Sequence, residues 1–264
     1  MRKFSKKQSE DYSVMNKSVF GLLAAAVLLT SCVTRSYRHE EHVSKLQKTS
    51  AFEQVYVHGS PTVYYEQGDS MSVRIEGTSS MVNEIETYVT DSVLNIGYKN
   101  HSAWKLFNFR RDDGELRVYV TSPDLVGVQV VGSGDFICRQ PLDTDVLTVR
   151  LEGSGDVTFA SIVCDKIEAA VMGSGDMRLG TVTTQSAGFN VTGSGDLDAQ
   201  LKNARQTDIS VIGSGDAKVD FANCGSANAS VCGSGDVVLS GSLQHYSMSK
   251  LGSGDIDTKH LKVQ

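Results

Sequence analysis

GSGDMRLGTVTTQSAGFNVT, residues 173–192, runs straight into a second Gly-Ser-Gly-Asp at Gly193, and the same four residues also start at Gly132, Gly153, Gly213, Gly233 and Gly252. The steps between the seven copies are 21, 20, 20, 20, 20 and 19 residues. A fixed period of this size marks an array in which each repeat is one coil and touches only its neighbours. Within the quoted repeat, Met177 and Leu179 alternate with polar residues after Asp176, and Ala187, Phe189 and Val191 alternate before Gly193. Period two is the strand period, so each coil holds two strands separated by the Gly-Ser-Gly-Asp corner.

Working outward, the other coils repeat the pattern at equal offsets. Val157 and Phe159, Leu197 and Ala199, Ala217 and Val219, and Val237 and Leu239 follow the corner aspartates; Ile167, Ala169 and Val171 precede one corner, and Thr207, Ile209 and Val211 another. Between the two strands each coil keeps one apolar anchor, such as Ile162, Val182 or Leu243. Equal offsets stack like residues into ladders. The predicted fold is all-β: a parallel β-solenoid over residues 132–264, single-stranded and right-handed by the usual crossover preference, standing ~34 Å tall.

The corner residues Gly132, Gly153, Gly173, Gly193, Gly213, Gly233 and Gly252 open each turn and supply the positive φ and close approach that a Cβ forbids. Asp135, Asp156, Asp176, Asp196, Asp216, Asp236 and Asp255 close it, with side chains able to bond the turn's own amides. Seven aspartates ~4.8 Å apart would repel by ~1 kcal/mol per neighbouring pair in water, which backbone amides or a row of cations could offset. Calcium arrays with Gly-Asp turns use nine-residue repeats in which two turns face each other. A 20-residue period supplies one turn per coil, so no metal is expected.

Residues 51–131 read as an irregular N-terminal β head that caps the solenoid, continuous with it as one domain over 51–264. Phe52-Glu53-Gln54-Val55-Tyr56-Val57, Val73-Arg74-Ile75, Val93-Leu94-Asn95-Ile96 and Leu116-Arg117-Val118-Tyr119-Val120 alternate as strands, separated by turn signals at Gly59-Ser60-Pro61, Gln67-Gly68-Asp69, Thr90-Asp91-Ser92 and Asp112-Asp113-Gly114. Gly59-Ser60-Pro61 falls where a decayed repeat would precede the regular array, and Ser79 to Ile85 predicts a short helix capped by Ser79 or Ser80. Trp104, Lys105, Phe107, Phe109, Arg110 and Arg111 crowd into a loop between strands. Aromatics beside basic side chains suit sugars, proteins or lipid headgroups, and the alternative is that they plug the open end of the solenoid.

At the N-terminus, Val19 to Leu29 is an apolar and small-residue run preceded by Lys17. It is too short to span a hydrocarbon core, which takes ~20 residues, and fits a secretory signal over residues 1–32. Leu29-Thr30-Ser31-Cys32 resembles the lipobox of bacterial lipoproteins, which implies lipidation of Cys32 and a membrane attachment through that lipid. Met15 makes a better signal start than Met1, because residues 1–14 carry Glu10 and Asp11. Residues 33–50, polar and without apolar periodicity, read as a flexible tether, and His39-Glu40-Glu41-His42 within it lacks the support a metal site needs. Residues 1–32 hold five basic and two acidic residues, leaving 20 Lys+Arg against 29 Asp+Glu. That balance excludes a nucleic-acid partner on electrostatic grounds.

Cys164 and Cys224 share one place in the repeat but lie three coils apart, ~14 Å at ~4.8 Å per coil, beyond the ~7 Å reach of a disulfide. Together with Cys138 and Cys232 they are expected as buried free thiols. The six histidines, His39, His42, His58, His101, His245 and His260, are scattered, and the conspicuous acids are spread evenly along one edge with no coil distinguished. Neither a catalytic carboxylate pair nor a nucleotide fingerprint is present, so no catalytic residue and no cofactor is expected.

The repeated Gly-Ser-Gly-Asp coils, the Val-Tyr-Val-x-Gly-Ser, Gln-Gly-Asp and Leu-Asn-Ile elements of residues 52–98, and the lipobox together resemble the putative auto-transporter adhesin family, also called the head GIN domain. The resemblance covers roughly residues 50–264. It implies a secreted or lipid-anchored β-solenoid in a Gram-negative cell envelope, on the outer membrane, and it designates no functional residues. No translocator barrel is legible, so self-transport is not expected. The resulting expectation is a non-enzymatic adhesin or surface binding module with a glycan or protein ligand; the alternatives are a periplasm-facing scaffold and a glycan-active enzyme. Lys259, His260 and Lys262 on the last strand read as charged guards of an open edge, predicting a monomer.

Overall fold

Strand formation follows the alternation directly. The computed structural model describes residues 41–99 and 116–264, and within them nearly every segment is extended. From the strand that enters the first regular corner the chain runs β8 (Gly127–Gly132), β9 (Asp135–Asp143), β10 (Val146–Gly153), β11 (Val157–Val163), β12 (Lys166–Gly173), β13 (Met177–Thr183), β14 (Ser186–Gly193), β15 (Leu197–Lys202), β16 (Gln206–Gly213), β17 (Ala217–Gly233), β18 (Val237–Gly252) and β19 (Ile256–Val263). Strands before the corners pair in parallel with each other, β8 to β10 to β12 to β14 to β16, and strands after them do likewise. Each first glycine lies opposite the next, Gly153 on Gly173 and Gly193 on Gly213, so no slip accumulates. The result is a parallel β-solenoid of about seven turns.

Between the two faces lies one continuous core. Val157, Met177, Leu197, Ala217 and Val237 form one buried column, and Ile167, Ala187, Thr207 and Ala227 another. Tyr65, Phe136 and Phe159 stack along the axis with ring centroids 5.9 and 5.5 Å apart. Cys138, Cys164 and Cys224 are buried free thiols, but Cys232 is exposed, correcting the expectation for that residue. The reason is parity: Val231 points inward, so its neighbour must point out.

The corner shows why its motif contains two glycines. The first adopts φ between 120° and 137° in every copy. The second has no such need, but a Cβ on Gly195 would stand 2.1 Å from the Gly175 carbonyl oxygen. The Gly193 carbonyl accepts two amides from the next coil, Ser214 N–H at 2.8 Å and Gly215 N–H at 3.0 Å. The aspartate does not bond its own turn, as the sequence suggested. Its carboxylate reaches forward, with Asp216 N–H donating to Asp196 Oδ1 at 2.9 Å and Asp236 N–H to Asp216 Oδ1 at 2.8 Å. Each side chain thus supplies the acceptor that the corner's backbone lacks, and a charge-assisted bond offsets the repulsion between neighbours.

In the head, β2 (Gln54–Gly59) and β3 (Thr62–Gln67) flank a degenerate corner in register with the array, Gly59 opposite Gly132. Pro61 and Thr62 occupy the second-glycine and aspartate places there, so Asp135 N–H falls back on the Pro61 carbonyl at 3.2 Å. Chain order and stacking order then part. β4 (Ser72–Thr78), α1 (Ser79–Glu84) and β5 (Ile85–Thr90) turn the chain back, and β6 (Val93–Tyr98) and β7 (Arg117–Ser122) pair outside β2 and β3. β5 and β4 run antiparallel to β6 and β7, covering this end of the stack.

Two local expectations are corrected here. Thr78, not Ser79 or Ser80, sits at the N-cap of α1, and it makes no side-chain cap bond. Its hydroxyl is taken by Ser80 at 3.1 Å. The expected tether also ends earlier, because β1 (His42–Gln47) pairs antiparallel with β4. The unpaired edge of β4 demands donors and acceptors whatever the side chains of its partner.

Gly195→Ala is expected to lower unfolding free energy by more than ~3 kcal/mol, whereas Asp196→Ala, which strands one partly solvated amide, should cost ~1 kcal/mol. Gly188→Ala, whose Cβ would meet only the movable Glu168 carboxylate, should cost less than Gly195→Ala. Urea melts of the three variants give the ranking. The buried Thr207 hydroxyl has no hydrogen-bond partner among the described residues. Thr207→Val should therefore raise stability by ~1 kcal/mol in the same assay.

Candidate ligand-binding faces of the head

Outward-facing positions along the regular coils carry small or charged side chains, the charged ones including the column Arg178, Asp198 and Lys218. One column reads Ala170, Asn190, Ser210, Ser230 and Ser249, and the aromatics Phe136, Phe159, Phe189 and Phe221 are all buried. The head reverses this. Its strands turn Tyr56, Tyr64, Tyr88, Tyr98 and Tyr119 toward the surface, at least partly exposed.

Register brings three of the head's side chains into one row on the face built by β4, β7, β3 and β9, with Arg139 of β9 beside it. Arg74 lies opposite Tyr119, and Tyr119 opposite Tyr64. The two rings stack with centroids 5.4 Å apart and planes 21° from parallel. The Arg74 guanidinium covers the outer face of Tyr119 at 4.2 Å, and that of Arg139 covers Tyr64 at 5.5 Å. Arg74 is further held by Glu76, and Glu66 accepts from Gln140 at 2.7 Å. A stack so braced has already lost its rotamer freedom, which lowers the entropic cost of using it as a contact surface. Beside it lies a cleft of about 290 Å³ lined by Tyr64, Glu66, Ser72, Arg74, Tyr119 and Arg139.

The opposite face carries a larger groove of about 640 Å³. One rung across it is Asn95, Tyr56, Gln129 and Arg150, from β6, β2, β8 and β10 in that order. Gly127 keeps the neighbouring rung low, and the β5–β6 turn brings Asp91 to the rim. Asp91 and Ser92 both have positive φ, 52° and 62°, as a two-residue hairpin turn needs. Gln129 donates to Glu152 at 3.0 Å, but Arg150 and Asp91 have no ion-pair partner among the described residues. An aromatic ring flanked by an uncommitted cation, an uncommitted carboxylate and two amides suits a polyhydroxylated or peptide ligand.

The sequence-derived candidates divide. The corner glycines and aspartates all lie along one edge of the solenoid, where the second glycine is buried and the serine exposed in each copy. No group of three or more His, Cys, Asp or Glu among the described residues is arranged to hold a metal. Cys32 and the loop residues Trp104, Lys105, Phe107, Phe109, Arg110 and Arg111 lie outside the described residues. The tyrosine row and groove were missed by sequence reading, since alternation assigns Tyr56, Tyr64 and Tyr119 to outward positions without saying which strands are neighbours.

Four of the titratable groups that depart from ordinary values are buried in the fold. Burial pushes the Cys138 thiol up to about 11, where it donates to the Gln140 carbonyl at 3.3 Å. Burial likewise raises Cys164 and Cys224. Tyr65 is pushed up to about 12 by desolvation, with its hydroxyl 3.0 Å from that of Ser122.

The stack of parallel coils with a capped N-terminal head defines the chain as a β-solenoid. The chain matches the family described as putative auto-transporter adhesin, head GIN domain, over residues 51–242 and 203–264, and it belongs to that family. Its fold is similar to the crystal structure of a putative adhesin from Bacteroides fragilis, with 28% identity over 82% of this chain and 96% of that one, TM-score 0.73. A putative adhesin from Parabacteroides distasonis shares 21% identity over 83% and 97% of the two chains, TM-score 0.67. A putative lipid binding protein from the same species shares 20% over 86% and 98%, TM-score 0.65. Among curated proteins none matches this chain.

The raised thiols and Tyr65 fix a pH dependence. Their protonated forms are favoured in the fold, so above pH 9.0, the ordinary thiol value, the native chain holds more protons than the unfolded one. Melting temperature should stay level up to about pH 9 and fall steadily toward about pH 11. Of Cys138, Cys164, Cys224 and Cys232, a thiol reagent should modify only Cys232 rapidly in the native protein.

Proposed function

We propose that this protein is a lipid-anchored, non-enzymatic component of a Gram-negative cell envelope that acts as an adhesin-type binding module, engaging a glycan or protein through the head. The observation that carries this reading is the segregation of surface chemistry. Five outward tyrosines lie on the head strands, flanked by Arg74, Arg139 and Arg150, and the coils that follow carry one, Tyr246, among small and charged side chains. Tyrosine and arginine contribute most binding energy per residue at recognition surfaces. The family to which the chain belongs supports an envelope or cell-surface setting. Leu29-Thr30-Ser31-Cys32 supports attachment through an N-terminal lipid on the outer membrane.

Two measurements test this reading. Protease added to intact cells should digest the protein, and protection until lysis would instead favour a periplasmic scaffold. Full-length protein displayed against arrays of glycans and matrix proteins should bind a ligand, and Tyr56→Ala with Arg150→Ala, or Tyr64→Ala with Arg139→Ala, should weaken it ~30-fold or more with little change in melting temperature. Full binding by both double variants would remove the head faces from the reading.

A further inference from the structure

The two ends of the solenoid are finished differently. At the head, β1, β4, α1 and β5 close the stack. At the other end, no strand among the described residues pairs with the outer edge of β19 or of residues 245–252 of β18. In the preceding coil, core-facing Ala227, Ala229 and Val231 are 1%, 3% and 2% exposed. Their successors Tyr246, Met248 and Lys250 occupy the same places, and Tyr246 and Met248 are 39% and 48% exposed. The core layer therefore emerges into solvent beside a row of unpaired backbone groups.

We propose that this end binds a second copy of the same chain, continuing both sheets across a two-fold axis centred on Met248. The sequence of the edge is self-complementary under that operation. Two copies of residues 245–252 laid antiparallel about Met248 set Met248 against Met248 of the second copy and Tyr246 against Lys250 of the second copy. All of these are on the core side, and Tyr246 with Lys250 makes a cation–π pair. On the outer side Ser247 meets Ser249, a small pair that allows close approach. The same axis, normal to the sheets, lays β19 antiparallel to its copy and sets the Asp257 end, negative, against the Lys262 end, positive.

Two lysines at this end, one of them among the guards read from the sequence, are committed within the chain. Lys259 reaches Asp257 at 3.1 Å, and Lys250 reaches Asp255 at 3.3 Å. They leave the edge less repulsive than its composition suggests. A two-fold contact uses one patch twice and closes the assembly at two copies, which suits an end whose opposite number is already capped.

The geometry also fixes where the N-terminal strands fall. From β1 through β4, β7, β3 and the after-corner strands to β19 there are ten strand spacings, or ~48 Å at ~4.8 Å each. The paired solenoids carry their N-terminal strands at opposite ends, ~100 Å apart. The pairing itself stands independently of any ligand at the head.

The test uses full-length protein in mild detergent. Sedimentation at tens of micromolar should show a dimer, and Met248→Asp, which sets like charges on the axis, should give a monomer of unchanged melting temperature. In a Cys232→Ser background, Met248→Cys should form an intermolecular disulfide on mild oxidation, because directly opposed residues place Cβ atoms ~5 Å apart. Ser210→Cys, in mid-solenoid, should not. A monomeric unaltered protein, a dimer unaffected by Met248→Asp, or cross-linking of Met248→Cys no greater than that of Ser210→Cys would each overturn the proposal.

Discussion

Everything in this molecule hangs on how closely one corner can lie upon the next. The Gly193 carbonyl serves two amides of the following coil, Ser214 and Gly215, at 2.8 and 3.0 Å, and no Cβ fits between the two layers. Because every corner repeats that geometry, each strand leaving it starts at the same height and in the same register as its neighbour. Side-chain columns, the buried core and the alternation of faces follow. A single residue of slip at one corner would turn a whole strand inside out.

The aspartate completes the arrangement by substituting for backbone. Parallel ladders need one acceptor per donor, and a corner breaks that count where the chain changes direction. The Oδ1 atoms of Asp135 to Asp236 restore it by reaching one coil ahead. What looked from the sequence like a column of mutually repelling charges is a column of charge-assisted bonds. Asp255, on the last described corner, pairs with Lys250.

Regularity made the coils legible. Equal offsets of Gly-Ser-Gly-Asp and of the flanking apolar residues specify two strands per turn and their neighbours, so Val157, Ile167 and Val171 could be placed in the core from spacing alone. Cys232 was legible by the same parity and was misread because its residue type suggests burial. The head was less legible for physical reasons. β6 and β7 stack outside β2 and β3 although they come later in the chain, and alternation is blind to that order. β1 is selected by the open edge of β4 more than by its own mostly exposed side chains. The pairing of Tyr64 with Tyr119 depends on the same non-sequential stacking, so the most distinctive surface of the molecule stayed hidden while its most repetitive part was plain.

The forward reach of each aspartate makes the solenoid modular in a heritable sense. Cutting between any two corners and inserting one further twenty-residue unit would leave every carboxylate with an amide ahead and every glycine with a glycine below. Gene duplication within the array can therefore lengthen the shaft in steps of one strand spacing, without redesigning either the head or the far end. Selection on the length of the solenoid can then act on copy number alone, with the chemistry of both ends held constant.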